Sequence, residues 1–503
     1  MSGTQILFVN ITERNKAYQA LGSNVAALEP PLWLGMLAKN TRDKGIEVKI
    51  LDADVLGLSI DQASQYIADC DADLTVFVAY GQHPSASSQN MDPILSALRK
   101  VRELGERAKN VLMLGLHPSA LPQRTLMDMK SVDTEKSGIN FVCQGEGPQT
   151  LSGLTYALGS KNPDFSSIPD LWYFKDGHPH FSSRGPLIAN LDEELDGVCW
   201  DLFPVEKYRA HNWHCFHHSE GRQPYVSIYT SLGCPFKCSF CCINTPFGGA
   251  GIRYRSPESV LAEIDYLVKH HGIKNIKFAD EMFVLNKAHV YGICEGLIAR
   301  NYDLNIWAYV RIDTAKKHFL EKLRAAGIHW LCPGIESGNK GVRMDVSKAK
   351  FTNSNVYEAI ANMKELDIKI IGNFMFGLPS DTLDSMQETL DLAKDLNCEF
   401  ANFYCTMAYP GSELHRNVSK TGISIPGSDG IGWSAYSQTS YDTLPLPTNT
   451  LSPKEVLAFR DKAFLEYHSN PSYQSMVSKK FGQEVTADLN KTLAIKIQRK
   501  ILM

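Results

Sequence analysis

Two series of alternating β-strand and α-helix patterns run along the chain. Up to residue 158, short apolar runs alternate with longer segments whose apolar residues recur at helical spacing. This alternation is typical of a parallel sheet with helices on both faces. It predicts an α/β fold beginning with a doubly wound, flavodoxin- or Rossmann-like domain over residues 1–158. The predicted strands are 6–9, 48–51, 74–79, 111–114 and 141–143, and the predicted helices are 33–44, 59–68 and 92–104.

Polar or glycine-bearing loops follow four of these predicted strands, at residues 52–54, 80–85, 115–118 and 144–147. The ligand crevice of an open α/β sheet lies at the carboxyl ends of its strands. The small residues in these loops therefore favour a phosphate-bearing or large planar ligand. Taken singly, each loop can also be an ordinary turn between a strand and a helix.

Residues 159–222 predict a turn-rich linker with a hairpin around Asp176 and Gly177. Its segment 211–218 is rich in histidine and aromatic residues and could suggest metal ligands. Because this segment has no paired CxxC motif, we expect a packed or substrate-facing aromatic loop instead.

The alternation resumes at Pro224 and gives six strand–helix repeats. The repeat length is near that of a TIM barrel, but six repeats are too few for a full one. The pattern therefore predicts a partial (β/α)6 TIM-like barrel over residues 223–415. A mainly helical C-terminal region is expected over residues 416–503. Its basic amphipathic run at 491–500 predicts a packed terminal helix, with binding to a membrane surface as a lesser alternative.

Composition narrows the class of protein. A chain of 503 residues is too long for one hydrophobic core. The net charge of -4 gives no bulk attraction to nucleic acid. The first residues do not resemble a secretory signal, and no apolar run approaches the roughly 18 residues of a transmembrane helix. We therefore expect a cytoplasmic protein, with no transmembrane segment, whose twelve cysteines are reduced.

Three of the cysteines form a motif. Cys234, Cys238 and Cys241 follow the first strand of the second series with the spacing CxxxCxxC. Three cysteines at a fixed spacing are expected by chance only about 0.007 times in a chain of this composition. Zinc would need a fourth ligand, and only the adjacent Cys242 is at hand. An iron–sulfur cube is normally held by four thiolates, so three would leave one iron open to an external chelator.

This segment, with the aromatic Phe240 just before the third cysteine, resembles the signature of the radical S-adenosylmethionine (SAM) superfamily. The resemblance implies a [4Fe-4S] cluster on the three cysteines, with the amino and carboxylate groups of SAM on the open iron. It also implies an external electron donor of the flavodoxin or ferredoxin type. An electron from the cluster would cleave SAM to a 5′-deoxyadenosyl radical, which abstracts hydrogen from a C–H bond.

Later segments are similar to the same superfamily. Residues 278–281, 309–313, 334–338, 372–379 and 409–412 follow successive predicted strands. The resemblance implies that the SAM amino group meets Asp280 and Glu281, although these carboxylates could instead be helix-start charges. It implies that Arg311 pairs with the SAM carboxylate. The implied SAM-binding residues are Phe240, Asp280, Glu281, Arg311, Glu336 and Ser337.

The amino-terminal half resembles the cobalamin-binding domain of the cobalamin-dependent branch, in segments 30–35, 51–54 and 144–147. The DxHxxG motif of other cobalamin domains is absent, since His83 and His117 lack the preceding Asp. We therefore expect no protein imidazole on the lower face of cobalt. Methylthiotransferases match less well, because this half contains only Cys70 and Cys143. The implied cobalamin-binding residues are Tyr80, Gly81, Gln82, Ser85, Ser87, Gly115, His117, Gly145, Glu146 and Gly147.

Together these resemblances imply a cobalamin-dependent radical SAM methyltransferase acting on a carbon of a small-molecule substrate. A non-methylating radical SAM enzyme, catalysing a dehydration, rearrangement or oxidative cyclisation, is the main alternative. A cobalamin-binding sensor without turnover is a third possibility, against which the three-cysteine motif argues.

Overall fold

A computed structural model of the chain describes residues 4–105, 108–135, 137–216, 221–348 and 351–503. His217 and His218 of the aromatic segment lie outside these residues. The strands of the described chain are β1 (Gln5–Asn10), β2 (Glu47–Asp52), β3 (Leu74–Ala79), β4 (Asn110–Gly115), β5 (Ile139–Cys143), β6 (Leu171–Lys175), β7 (His178–Phe181), β8 (Tyr225–Ile228), β9 (Ser231–Cys234), β10 (Gly251–Tyr254), β11 (Asn275–Phe278), β12 (Asn305–Arg311), β13 (Ile328–Glu336), β14 (Lys369–Phe376) and β15 (Phe400–Cys405). Its α-helices are α1 (Arg14–Tyr18), α2 (Leu21–Asn24), α3 (Leu32–Asp43), α4 (Ile60–Cys70), α5 (Pro84–Ser88), α6 (Met91–Glu103), α7 (Leu116–Ala120), α8 (Pro122–Lys130), α9 (Pro148–Leu158), α10 (Leu191–Glu194), α11 (Pro257–His271), α12 (Lys287–Arg300), α13 (Lys317–Ala325), α14 (Lys340–Asp345), α15 (Asn353–Glu365), α16 (Leu383–Leu396), α17 (Glu413–Val418), α18 (Pro453–His468), α19 (Pro471–Phe481) and α20 (Gln483–Leu493).

The first sheet has the order β2-β1-β3-β4-β5-β6-β7. Strands β1 to β5 are parallel, and their order is that of a flavodoxin-like doubly wound sheet, which confirms the predicted architecture. The order reverses between β1 and β3, and this reversal opens a crevice at the carboxyl ends of these strands.

The predicted hairpin at Asp176 and Gly177 joins this sheet. Both residues have positive φ, as a tight two-residue turn requires. Strand β6 pairs antiparallel with β5 and with β7. The boundary predicted at residue 158 therefore falls inside the sheet, because the hairpin of the linker covers the edge that β5 would otherwise expose.

The second sheet has the order β15-β14-β13-β12-β11-β8, and every pair in it is parallel. This is the predicted (β/α)6 partial barrel. Strand β13 extends well beyond the predicted 330–331, up to Glu336. Pro333 and Gly334 are poor strand formers, but pairing with β12 on one side and β14 on the other holds them in the sheet.

The aromatic segment of the linker closes the amino-terminal end of this barrel. The Trp213 ring lies 5.2 Å from Trp307 and 5.7 Å from Trp330. His214 Nε2 lies 3.0 Å from the carbonyl oxygen of Asn305, the first residue of β12. The segment is thus a packed aromatic plug, and the open end of the barrel is the carboxyl end of its strands.

The C-terminal region is mainly helical and packs along β15. The Tyr467 hydroxyl of α18 donates to the carbonyl of Cys398 at 2.7 Å. The predicted helix over 491–500 is wrong, since α20 ends at Leu493. Arg499 is instead buried and paired with Asp461 at 3.0 Å, which fixes the end of the chain in a non-helical course. In the part of the chain that the structure describes, helices are all too short or too polar to cross a membrane.

Candidate cofactor site between the two sheets

The three motif cysteines lie on a hairpin that the sequence pattern did not predict. Strand β9 ends at Cys234 and pairs antiparallel with β10. Gly233 has φ 88°, and a Cβ at this position would lie 2.5 Å from the carbonyl oxygen of Gly251. Only glycine therefore allows the two strands to approach this closely just before the first cysteine.

The loop that follows β9 is fixed by hydrogen bonds on both sides. The Cys234 amide donates to Asn244 Oδ1 at 2.9 Å, and Asn244 Nδ2 donates to the Cys234 carbonyl at 2.7 Å. The Ser239 amide donates to the Val346 carbonyl, and the Leu414 amide donates to the Ser239 carbonyl. Two distant segments of the barrel thus hold the cysteine loop at its carboxyl end.

The three thiols are half-buried and close to one another. Burial raises the pKa of Cys234 to about 11 and that of Cys241 to about 12, and the neighbouring Cys238 raises both further. Glu281 adds to the same effect. Thiolates in this site therefore need a compensating positive charge, which bound metal supplies. Cys242 is buried in the main hydrophobic core.

The donor set of the loop is three thiols. Among the described residues, no three His, Cys, Asp or Glu side chains converge on a point where one metal ion could be held. The thiolates of an iron–sulfur cube bind separate irons, so they surround a larger body and need not converge.

Asp280 and Glu281 have different environments. The buried Asp280 carboxylate accepts from the Thr230 amide at 2.7 Å, from Thr230 Oγ1 at 2.5 Å and from Ser231 Oγ at 2.5 Å. It therefore anchors the turn that leads into the cysteine hairpin. Glu281 has no hydrogen-bond or ion-pair partner among the described residues, and it faces Cys234 and Cys241. Burial raises the pKa of Glu281 to about 8.

Arg311 lies directly against the cysteine loop. Its guanidinium carbon is 3.8 Å from the centroid of the Phe236 ring. Its Nε and Nη2 donate to Asp313 at 2.9 Å each, and Nη2 also donates to the Lys348 carbonyl at 2.8 Å. Only Nη1 is left without a partner among the described residues.

A lysine that sequence reasoning missed lies beside Arg311. Lys348 Nζ is 2.7 Å from Glu336 Oε1, and the pair is largely buried. A Cβ on Gly334 would lie 2.6 Å from Glu336 Oε1, so glycine at this position leaves room for the pair. Lys348 belongs to no motif, and only the fold brings it to the site.

The remaining predicted SAM residues pack into the protein. Ser337 is fully buried, and its Oγ lies 3.1 Å from Thr389 Oγ1 and accepts from the Asn339 amide. It stabilises the turn from β13 into α14. Phe240 packs between two small apolar groups, one with Met375 and one with Leu414.

The crevice of the first sheet meets the cysteine site at Tyr80. This residue follows β3 and stacks on Trp33 with ring centroids 5.0 Å apart. Burial raises the pKa of Tyr80 well above its ordinary value, and the charges of Glu281, Cys242, Glu146 and Cys241 raise it further. The phenol is therefore close enough to the cysteine loop for the charges of that loop to act on it.

Several predicted cobalamin residues serve the packing of their own loops. A Cβ on Gly115 would lie 2.6 Å from the Ala79 carbonyl oxygen, and one on Gly81 would lie 2.3 Å from the Ala86 Cβ. The Ser87 hydroxyl accepts from the Gly81 amide at 3.0 Å, and Ser85 Oγ lies 2.7 Å from His83 Nδ1. In the next loop, a Cβ on Gly145 would meet Asp170, and Gly147 has φ 106°.

Two other predicted cobalamin residues are covered by distant parts of the chain. Glu146 pairs with Arg253 of β10 at 2.6 Å and accepts from the Ile188 amide, so it ties the cysteine hairpin to the first domain. His117 is fully buried, with Nδ1 3.0 Å from Ser88 Oγ and its ring 4.5 Å from Trp433. These long-range contacts remove both side chains from the open crevice.

Two tyrosines, Tyr309 and Tyr404, lie close together on strands of the barrel. Tyr404 on β15 keeps 37% of its surface exposed, although burial raises its pKa. It lies near Cys332, and Tyr309 lies near both. Deeper in the lumen, Lys277 pairs with Glu29 of the first domain at 3.1 Å.

Comparisons with known proteins agree with this geometry. The Radical SAM superfamily model matches residues 228–393. The chain is 26% identical over 447 residues to the uncharacterized methyltransferase PH0819 of Pyrococcus horikoshii, covering 89% of each protein. It resembles the cobalamin- and [4Fe-4S]-bound structure of the radical SAM methyltransferase TsrM from Kitasatospora setae, with a TM-score of 0.69 and 17% identity, over 97% of this chain and 100% of that chain. It resembles the aqua-cobalamin-bound radical SAM enzyme OxsB with a TM-score of 0.68 and 16% identity, over 98% of this chain and 72% of that chain.

Residues 228–393 are thus a radical SAM domain. The chain as a whole has the fold of the cobalamin-dependent radical SAM enzymes, which confirms both the resemblance identified from the cysteine motif and the predicted fold class.

Proposed function

We propose that this chain is a cobalamin-dependent radical SAM methyltransferase that transfers a methyl group to a carbon of a small-molecule substrate. The observation that carries the proposal is that the crevice of the first sheet adjoins the cysteine hairpin: Glu146, in the loop after β5, pairs with Arg253 of that hairpin at 2.6 Å, and the charges of Glu281 and Cys241 act on Tyr80, in the loop after β3. A cofactor in the crevice and a cofactor on the cysteine loop would face one common space. The similarity to proteins named as methyltransferases supports transfer of a methyl group.

In this proposal Cys234, Cys238 and Cys241 hold a [4Fe-4S] cluster. Glu281 receives the amino group of SAM, because its carboxyl group is the one in this segment with no other partner. Arg311, supported by Asp313, presents its remaining N–H groups to the SAM carboxylate. When bound, the cluster supplies the electron that cleaves SAM, and cobalamin supplies the methyl group.

The other residues of the proposed site hold its loops in place or line its spaces. Asp280 and Ser337 hold the turns on either side of the site, and Phe240 and Glu336 shape its wall. In the first domain, Tyr80 and Gln82 face the proposed cobalamin space, and the small residues beside them keep the loop compact. The Tyr309 and Tyr404 side chains line the proposed substrate space, from which the aromatic plug excludes bulk water at one end.

We also propose the limits of the domains, the electron donor and the cellular location. The cobalamin-binding domain is proposed over residues 1–158 with the linker hairpin added to its sheet, and the radical SAM domain over residues 223–415. An external flavodoxin or ferredoxin is proposed to reduce the cluster. A cytoplasmic location is proposed because all twelve cysteines are free thiols, which suits a reducing compartment.

The test uses SAM with a deuterated methyl group and the reconstituted, reduced protein. Incubation with hydroxocobalamin and a small-molecule extract of the native cells should give a product that carries the labelled methyl group. Omission of hydroxocobalamin should abolish the label, as should Cys241→Ser, whereas Cys242→Ser should retain it. Cleavage of SAM with no labelled product, unaffected by cobalamin, would instead support a non-methylating radical SAM enzyme.

A further inference from the structure

A small, partly open cavity lies at the carboxyl ends of β1, β2 and β3, and Tyr80 is one of the residues that line it. Its volume is about 140 Å³. An engineered cavity of about 150 Å³ holds one benzene molecule, so this cavity can take a group of a few heavy atoms but not a macrocycle. The residues that matter for its chemistry are Glu29, Gln82, His83 and His211.

The two histidines line the cavity, and each has one ring nitrogen without a partner in the described chain. His83 Nδ1 accepts from the Ala86 amide at 3.2 Å, and His211 Nδ1 accepts from the Ala27 amide at 3.3 Å. A backbone N–H can only donate, so the proton of each neutral imidazole lies on Nε2. Burial lowers the pKa of His83 to about 4 and that of His211 to about 3, which keeps both rings neutral. Neither Nε2 has a partner among the described residues.

The acceptors of the cavity come from Gln82 and Glu29. Gln82 Nε2 donates to the Pro30 carbonyl at 3.0 Å, which orients the amide. Gln82 Oε1 is buried and has no partner in the described chain. Glu29 already accepts from Lys277 at 3.1 Å and from the Tyr225 hydroxyl at 3.0 Å. A ligand in the cavity therefore meets two free N–H donors and at least one free oxygen acceptor.

The charges around the cavity are paired. Arg14 pairs with Asp54 at 3.3 Å, and Lys277 pairs with Glu29. A bound carboxylate would face the oxygens of Gln82 and Glu29, and a bound ammonium would face the two imidazole N–H groups. A primary carboxamide matches both sides, because its oxygen accepts from the two imidazoles and its nitrogen donates to Gln82.

We propose that this cavity is a carboxamide-binding site formed by His83, His211 and Gln82. The carboxamide can come from the rim of a corrin ring, which bears such side chains, or from the substrate. The position of the cavity beside Tyr80 in the crevice favours the corrin. The choice of the corrin rests on the proposed function, whereas the chemistry of the cavity does not.

The test removes the two N–H donors and keeps the backbone contacts. His83→Asn retains an oxygen that can accept from the Ala86 amide, and asparagine is a favoured residue at the start of a helix. His211→Asn retains an acceptor for Ala27 in the same way. His178→Asn, at the exposed first residue of β7, is the matched control. The double variant His83→Asn, His211→Asn removes both donors at once. Thermal unfolding of the two single variants, the double variant and the control verifies that they fold.

The first arm measures the affinity for hydroxocobalamin by absorbance titration. His83→Asn and His211→Asn should each weaken hydroxocobalamin binding by about two- to tenfold, which is the effect of one lost hydrogen bond. The control His178→Asn should leave the affinity unchanged. The second arm measures propionamide and propionate binding to the cobalamin-free protein by ligand-observed NMR. Propionamide should bind the wild type in preference to propionate. The double variant His83→Asn, His211→Asn should no longer bind propionamide.

The outcomes distinguish a carboxamide of the corrin rim from a carboxamide of the substrate. Weakened hydroxocobalamin binding in the variants supports the corrin rim. Unchanged hydroxocobalamin binding with loss of propionamide supports a substrate carboxamide. No change in either arm, or equal binding of propionate, overturns the proposed site. A wild type that binds no hydroxocobalamin contradicts the cobalamin part of the proposed function, and the propionamide arm still decides the chemistry of the cavity.

Discussion

The Glu146 carboxylate lies 2.6 Å from the Arg253 guanidinium and joins the loop after β5 to the hairpin that carries the cysteines. Arg253 pairs in register with Leu232, two residues before Cys234. Any displacement of this pair therefore moves the cysteine loop relative to the first domain.

Glu146→Gln should destabilise the protein, because it leaves Arg253 largely buried without its counter-charge. We expect a loss of about 1–3 kcal/mol in the free energy of unfolding, below the range for fully buried pairs. Urea denaturation measures this loss, with the exposed Glu365→Gln as a control. The reconstituted variant should also lose iron to a chelator faster than the wild type. Equal stability and equal iron loss would contradict a clamping role for Glu146.

The triple variant Cys234→Ala, Cys238→Ala, Cys241→Ala should bind no cluster. Anaerobically reconstituted wild type should hold about four irons and four sulfides. Cys242→Ala should keep them, because this cysteine is buried in the hydrophobic core. Iron and sulfide analysis checks the prediction. A full cluster in the triple variant would refute the cysteine assignment.

Arg311→Ala should weaken SAM binding by removing a charge-assisted contact to the carboxylate. The expected cost is about 1.5–3 kcal/mol, or roughly tenfold to a hundredfold in affinity. Equilibrium dialysis with labelled SAM measures it. Arg324→Ala on the outer surface of the barrel is the control. If the two variants bind SAM equally well, the SAM carboxylate lies elsewhere, and Lys348 becomes the next residue to vary.

Asp52→Asn should stabilise the protein near neutral pH. Burial raises the pKa of Asp52 to about 6, despite hydrogen bonds from Tyr208 and Asn10. Between about pH 4 and pH 6 the folded state binds more protons than the unfolded state, so stability falls as pH rises through this window. Asn at this position does not ionise, so the variant does not lose stability in this window. Its free energy of unfolding should therefore rise relative to that of the wild type by up to about 3 kcal/mol between pH 4 and pH 7.

Thermal unfolding at several pH values measures the effect of Asp52, with the exposed Asp303→Asn as a control. A stability difference between wild type and Asp52→Asn that does not change with pH would show that Asp52 is ionised normally in the folded protein.

The cobalt of bound cobalamin should have no protein histidine on its lower face. His83 Nδ1 accepts a backbone hydrogen bond, so its Nε2 is protonated and has no lone pair to give. The buried His117 ring packs edge-on against Trp433, with ring centroids 4.5 Å apart, and is therefore covered by that side chain. His83→Asn and His117→Ala should therefore leave the electron paramagnetic resonance spectrum of the reduced cobalt unchanged. Nitrogen splitting that disappears in either variant would identify a histidine ligand.

Much of the architecture follows from local patterns in the sequence. The alternation of strand-like and helix-like patterns predicted both sheets. A helix or strand that is buried on one face needs apolar residues at the period of that element, and this period is visible in a short stretch of sequence. Segments held by distant partners escaped prediction. The hairpin of β9 and β10 depends on Gly233 meeting Gly251, and the non-helical end depends on Arg499 meeting Asp461.

The sequence by itself determined the chemistry of the candidate site, because Cys234, Cys238 and Cys241 are close along the chain and their spacing is a local property. Only the tertiary structure decided which neighbouring polar residues face that site. Asp280 and Glu281 are adjacent and chemically alike, yet Thr230 and Ser231 bind one and leave the other free. A side chain's orientation depends on partners that folding brings from distant positions, and no local pattern encodes those partners.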